Sequence, residues 1–282
     1  MKRYCLWRIL GNDLPPRHSE TQTETNLNFI LNNEIDFRDC DKRFVLNRIL
    51  DKDKEFRYVK LIEAAGYSYD ILPFIDDTYR QNQTIQDKLN YLTNVNPARN
   101  YCVRRGFELG YDYILPFDGA SCFRKDGWEI FDSNCRFNDG DGYFVLGQSR
   151  PEDFQAFLHK LPILKENYSI DGKRYIASRE FAVAFGRDWD QLFDEDYTLY
   201  GKADKVDLLW KLGIPGVWDR WYPKLKARAL ENLSEWAGKI KMAGWVARLP
   251  SGNPEADKDS SIRGRLRAEG LNNLVLQANR IK

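Results

Sequence analysis

Apolar positions along the chain fall into short runs bounded by turn residues, and the spacing within the runs alternates between strand and helix periods. Residues 3–10 (RYCLWRIL) read as a first strand. It stops at Gly11-Asn12-Asp13-Leu14-Pro15-Pro16, where a glycine and paired prolines make a rigid, extended loop. A helix over 19–31 follows, then a second strand over 43–49. Asp51 caps the next helix, in which Phe56, Val59 and Ile62 recur at helical spacing, and Gly66 stops it. Residues 69–74 read as a third strand, and 76–94 as a polar loop with a short helix. Asn96 as N-cap and Pro97 at the first helical position open a helix that ends at Gly110. That helix leads into 113–117 (YILPF), a short buried strand that halts at Asp118-Gly119. Strands alternating with helices mark a parallel sheet. The first 123 residues therefore read as an α/β nucleotide-binding half.

The pattern continues less regularly. A helix is expected over 126–137, a turn at 138–142 and a strand over 143–147. Residues 151–172 are mixed in character, 174–185 read as a strand, and 193–196 form an acidic turn. Residues 204–212 read as a helix, and 218–242, rich in Trp, Leu and Lys, as helical. A polar loop over 250–261 precedes a final basic helix from Ser260. The division expected is a core over 1–215 and a helical segment over 216–282. That segment packs back over the sheet, because a detached tail would expose Trp218, Trp221, Trp236 and Trp245.

Composition narrows the classes. Of 282 residues, 43% are hydrophobic and 30% charged, the profile of a folded soluble chain. The net charge of +1 gives no overall field toward nucleic acid or membrane. No apolar run is long enough to span a bilayer. Five cysteines, an odd number without CxxC spacing, fit free thiols and a cytoplasmic setting. Two histidines argue against a His-rich zinc site and against a Ser-His-Asp triad.

Candidate chemistry gathers at the strand ends, where open α/β sheets bind ligands. Asp118 sits at such an end, facing Gly11, Asn12 and Asp13 in the loop after the first strand. Oxygen ligands there suit Mg2+ or Mn2+ with a diphosphate, although one carboxylate alone is a weak metal site. Asp-Gly is equally an ordinary turn pair. Arg99 and Asn100 lie in the first turn of the helix before that strand, where free N–H groups and an arginine fork suit phosphate or sugar hydroxyls. Arg263 and Arg267 share one face of the last helix and can meet a charged leaving group behind a closing loop, or form a solvated helix face. Asp194 and Glu195 are candidates for a general base. Arg179 and Glu180 face opposite sides of a strand, so one of them can line the site.

The blocks Leu10–Pro16, Val45–Ile49, Asn96–Asn100 and Leu115–Gly119, with Tyr200–Lys205 and Gly244–Leu249, resemble GT-A type glycosyltransferases. More narrowly they resemble a group found in bacterial surface-polysaccharide loci and in large viruses of algae. The resemblance implies a GT-A-like, Rossmann-type, mostly parallel sheet flanked by helices, with a helical C-terminal extension. It implies a nucleotide-sugar donor, UDP-sugar favoured, and a glycan or other hydroxyl acceptor. Gly11, Asn12, Asp13, Asn47 and Arg48 are then expected on the nucleotide, Arg99 and Asn100 on the sugar, and Arg263 and Arg267 on the departing diphosphate. Asp118 maps to the first acid of the Asp-x-Asp motif that binds Mn2+ or Mg2+, but the second acid is absent in Asp118-Gly119-Ala120-Ser121. Two other readings stay open: a nucleotidyltransferase acting on sugar phosphates, and a carbohydrate-binding protein without catalysis.

Overall fold

Seven consecutive buried residues make β1 (Tyr4–Leu10) the centre of the molecule. In the computed structural model, which describes residues 2–136, 142–149, 182–196, 205–214, 217–220 and 222–281, β1 lies between two parallel partners. These are β2 (Cys40–Asn47) and β4 (Tyr113–Asp118), and β3 (Ser68–Leu72) adds a parallel edge beyond β2. On the other side of β4 come β7 (Ala182–Gly186), β6 (Tyr143–Ser149), β8 (Lys241–Arg248) and the two-residue β5 (Ser121–Cys122). The order is β3-β2-β1-β4-β7-β6-β8-β5. Only β7 and β5 run against the rest, so the sheet is mostly parallel and the fold is α/β.

Strand alternation sorts the side chains of β1 onto two covered faces. Trp7 and Ile9 pack with Ile114, Phe185, α5 (Asn96–Glu108) and α7 (Val206–Lys211). Tyr4 and Leu6 pack with Phe117 and with α6 (Lys125–Arg136) through Trp128 and Phe131. Leu10 joins Phe44 and Leu46 under α1 (Gln22–Asn33) and α2 (Lys52–Ala64). Helices thus cover both faces, as two-sided burial of parallel strands requires. α5 lies especially close to β4: a Cβ on Gly106 would sit 2.3 Å from Ile114 Cδ1. The α2 boundaries follow the expected chemistry. The Asp51 carboxylate accepts from Asp53 N and Lys54 N, and Gly66 turns at φ +77°.

One polar residue of β1 points into the apolar interior. Arg8 is fully buried, donates from Nε to Ser121 O at 2.7 Å and pairs with the buried Glu34. Glu34 also accepts from Phe123 N at 2.7 Å and lies 3.8 Å from Lys42 Nζ. This network ties the α1 end, β2 and the β5 segment together.

The chain closes over the carboxyl edge of the sheet. After α3 (Asp76–Gln81) and α4 (Ile85–Thr93), the C-terminal helix α10 (Ser260–Ala278) packs Leu274, Val275 and Ala278 against Leu14, Leu50, Tyr79 and Leu92. Gly270 of α10 rides on the loop after β1, and a Cβ there would meet Leu14 O at 2.7 Å. Alanine normally gains about 1 kcal/mol over glycine inside a helix. Against an immovable backbone carbonyl the overpacking cost of about 1–3 kcal/mol is the larger. Gly270→Ala is therefore expected to lower stability in urea unfolding rather than raise it.

Several expectations are corrected. Residues 218–242 are not one helical stretch: a 3-10 turn (Val217–Arg220) and α8 (Pro223–Leu230) are followed by turns and then by β8. β8 stands inside the sheet, paired to β6 and β5, so the 216–282 segment contributes a strand as well as helices. Two helices, not one, occupy 76–94. Asn96 is the first residue of α5 rather than its cap; the cap is Val95, without a side-chain hydrogen bond. The strand expected over 174–185 is seen as Ala182–Gly186, its earlier part lying outside the described residues, as do Arg179, Glu180 and the turn at 138–141. All five cysteines are free thiols, four of them buried. Among the described residues no helix is long and apolar enough to cross a membrane.

Candidate active site

The connections after β1 lead to β2 and β3 on one side, while β4 takes the other side of β1. The crevice beyond the carboxyl ends of β1 and β4 is therefore the topological switch point, the place where open α/β sheets take ligands. Register puts Asp118 level with Ile9, and Gly119 N donates to Ile9 O at 2.9 Å. The two strands stay this close because residue 119 has no side chain: a Cβ would lie 2.8 Å from Ile9 O. Among the described residues β7 pairs with Tyr113 and Ile114, at the start of β4.

Asp118 is held by two cations at that end. Arg99 Nη2 donates to its Oδ1 at 2.7 Å, and Lys205 Nζ donates to its Oδ2 at 2.8 Å. Both partners are buried, and the Asp118 side chain is 19% exposed. Burial by itself raises the Asp118 pKa, but the charges of Lys205, Arg99 and Arg248 outweigh it and hold the carboxyl well below its ordinary range. Arg99 is fixed from behind by Asn96, whose Oδ1 accepts from Nη1 at 2.7 Å, and by the Phe193 ring, 5.3 Å from the guanidinium. Lys205 precedes α7, whose residues Val206 to Trp210 are all buried. Anchoring of that turn through Val206, Leu208, Leu209 and Trp210 carries the lysine into the site.

The other residues expected from sequence fall into three groups. Gly11, Asn12 and Asp13 do line the loop after β1, but Asn12 and Asp13 brace the chain. Asn12 donates to Arg48 O at 2.8 Å and accepts from Leu50 N at 2.9 Å. Asp13 accepts from Thr23 N and Oγ1 at 2.9 and 2.8 Å. A Cβ at Gly11 would meet open space. Arg48 stacks its guanidinium 4.4 Å from the Tyr91 ring and turns out of β2 at φ +51°. Asn47 differs: Oδ1 is buried without a hydrogen-bond partner among the described residues. The register chain Asp118–Ile9–Val45 puts Asn47 on the Asp118 face, one step nearer the carboxyl edge.

A second group holds the acidic turn. Asn100 uses both ends of its amide on it, donating to Phe193 O and to Glu195 Oε1 at 2.8 Å and accepting from Phe193 N at 3.1 Å. Asn96 donates to Asp194 O at 2.8 Å. The Asp194 carboxylate pairs with Arg228, and lines a cavity of about 360 Å³ with Asp196, Asp207 and Lys211. Asn100 therefore positions the acidic turn, and its polar atoms are occupied in doing so.

The last group lies apart. Arg263 donates from Nε to Ala256 O at 2.8 Å and so fastens α10 to the short α9 (Pro254–Lys258). Among the described residues no contact joins Arg263 or Arg267 to Asp118. The cations that do meet Asp118 are Arg99, which the sequence reading singled out, and Lys205, which it did not; Arg248, also not singled out, adds its charge without an ion pair to that carboxylate. Lys205 carried one signal, a lysine set immediately before a mostly apolar helical turn, Val206-Asp207-Leu208-Leu209-Trp210. Arg248 ends β8, and its proximity to residue 118 follows from strand pairing alone, Ser121 with Arg248.

The Mn2+ or Mg2+ expected at Asp118 fits these residues poorly. Both carboxylate oxygens already accept from cations. Among the described residues no group of three His, Cys, Asp or Glu side chains can hold a metal ion.

No protein-family model matches the chain, and no curated protein matches it. Among solved structures it is similar to S. aureus TarS 1–349 in complex with UDP, at 11% identity and TM-score 0.45, over 96% of this chain and 71% of that one. A longer S. aureus TarS structure matches at the same identity and TM-score, with 43% of its length covered. A protein from Desulfovibrio desulfuricans G20, described by inference as a nucleotide-diphospho-sugar transferase, matches at 9% identity and TM-score 0.39, over 99% of this chain and 98% of that one. Likenesses this distant carry no argument about chemistry.

Proposed function

We propose that the chain is a glycosyltransferase that moves a sugar from a nucleoside-diphosphate sugar, a UDP-sugar by preference, to a hydroxyl of a glycan acceptor. One observation carries this reading: a single ionised carboxylate, clasped by Arg99 and Lys205, at the switch point of a mostly parallel sheet. Fixed cations at such an edge suit a diphosphate, and they stabilise the charge that grows on it as the sugar departs. The orphaned Asn47 Oδ1 supports a nucleotide nearby, since a buried acceptor without a donor is costly and a base N–H would satisfy it. The sequence blocks that resemble GT-A enzymes support the choice of a UDP-sugar. In a transfer that inverts configuration the acceptor proton goes to Glu195 or Asp194. Glu195 is the more open of the two, at 42% side-chain exposure against 15%. The reaction belongs in the cytoplasm, where such donors are made.

Incubation with UDP-, GDP- and dTDP-sugars tests the proposal. Slow release of UDP from a UDP-sugar, faster with a glycan present, is the expected result. Pyrophosphate release from a nucleoside triphosphate and a sugar phosphate would instead mean nucleotidyl transfer. Binding without turnover would mean a carbohydrate-binding protein. Glu195→Gln is expected to lower kcat by about 10²–10⁴-fold with little change in KM. An unchanged kcat would remove Glu195 from the role.

A further inference from the structure

Where a metal serves a diphosphate, carboxylates hold a divalent ion and the ion meets the phosphate oxygens. Asp118 presents the reverse arrangement: its oxygens face inward to Arg99 and Lys205. A third cation belongs to the same place. Arg248 lies opposite Ser121, and the next residue donates from Leu249 N to Ala120 O at 2.7 Å. Its neighbour Ala247 packs with Ile30 and Cys122 beneath α1. Alternation along β8 therefore turns Arg248 to the opposite face, the face of Asp118. Among the described residues no acid forms an ion pair with Arg248.

We propose that Lys205 and Arg248, together with Arg99, occupy the role of a divalent ion, so that the site binds the diphosphate of its nucleotide sugar without a metal. The proposal rests on the glycosyltransferase reading for the identity of the donor. Asp118, its two paired cations and the Arg248 that β8 turns to the same face leave two positive charges, which matches the dianionic diphosphate of a nucleotide sugar. Lys205 has three N–H donors, and among the described residues one goes to Asp118. The remaining donors can meet phosphate oxygens. Asp118 then serves as the post that aims Arg99 and Lys205, instead of a ligand to an ion.

The charge also grows where these groups stand. The bond from the sugar C1 to the β-phosphate oxygen breaks, and its electron pair stays on that oxygen. The acceptor oxygen forms the new bond to C1, and its proton passes to the base. The leaving nucleoside diphosphate thus gains one negative charge, next to the ammonium and guanidinium groups. Such preorganised donors act most strongly in a partly dry site.

Calorimetric titration of the whole chain with UDP, and separately with inorganic pyrophosphate, decides the matter. Each is run in excess EDTA and again with Mn2+ or Mg2+. The expected result is a UDP affinity that differs by less than about threefold between the two conditions. Arg248→Gln and Lys205→Met are expected to weaken UDP binding about tenfold or more in EDTA, and Arg248→Lys to keep most of it. UDP binding that appears only with added metal overturns the proposal and leaves the glycosyltransferase reading in place. Unchanged affinity in a folded Arg248→Gln chain overturns it too. Absence of UDP and pyrophosphate binding under both conditions overturns both readings. The EDTA comparison on the unaltered chain stands even where a variant fails to fold.

Discussion

Asp118→Asn is expected to slow sugar transfer by at least about a hundredfold, because the amide can no longer hold Arg99 and Lys205 aimed at the diphosphate. The same change is expected to cost about 2–4 kcal/mol of stability, since it leaves two buried cations without their counter-charge. The upper end applies to fully buried pairs, and Asp118 retains some exposure. The sign of the pH dependence follows from the depressed carboxyl. The folded state holds the Asp118 proton less tightly than the unfolded chain does, whose ordinary value is 3.8. The stabilisation is thus fully present above 3.8 and lost as the pH falls through the lower folded value. Urea unfolding of the two chains across acidic pH checks this. The gap between them should hold steady down to about the ordinary carboxylate value and close only below it.

Glu34→Ala is expected to produce the largest loss of stability in the molecule, about 3–5 kcal/mol. The carboxylate is fully buried and answers two buried cations, Arg8 and Lys42, besides the Phe123 N–H. Its removal leaves Arg8, buried in the centre of β1, without its counter-charge. For a chain of this size the melting temperature should fall by about 6–15 °C, read by circular dichroism. Glu34→Gln should fall between, as it keeps an acceptor for the amide but not the charge. A melting temperature within a degree or two of the unaltered chain for Glu34→Ala would show that water reaches Arg8.

The half of the sheet that carries Asp118 was legible because its signals are local. β1 and β4 are nearly continuous apolar runs, and each ends at a residue that cannot continue it, Gly11 or Asp118-Gly119. The Asp51 cap and the Gly66 stop act through bonds within a few residues of each other. β8 was not legible, since Lys241–Arg248 mixes charged, small and aromatic residues without a clean alternation. Its strand state comes from β6 and β5, partners distant in the chain. The same physics hid half of the site. Arg99 stands 19 residues from Asp118 on the preceding helix, the place where sequence put a candidate ligand-binding arginine, but its bond to Asp118 was not foreseen. Lys205 stands 87 residues away and reaches Asp118 only because α7 sinks into the core. Arg263 and Arg267 drew attention as a basic helical face, yet α10 packs through Leu274, Val275 and Ala278 nearer its other end. A face of one helix does not reveal which part of it meets the sheet.

Crystals of the chain grown with UDP give the most direct test of where the chemistry happens. The account predicts diphosphate density at the carboxyl edge between β1 and β4, within hydrogen-bond distance of Lys205 and Arg99. Density instead in the cavity beside Asp194 and Arg228, with the Asp118 edge empty, would contradict it.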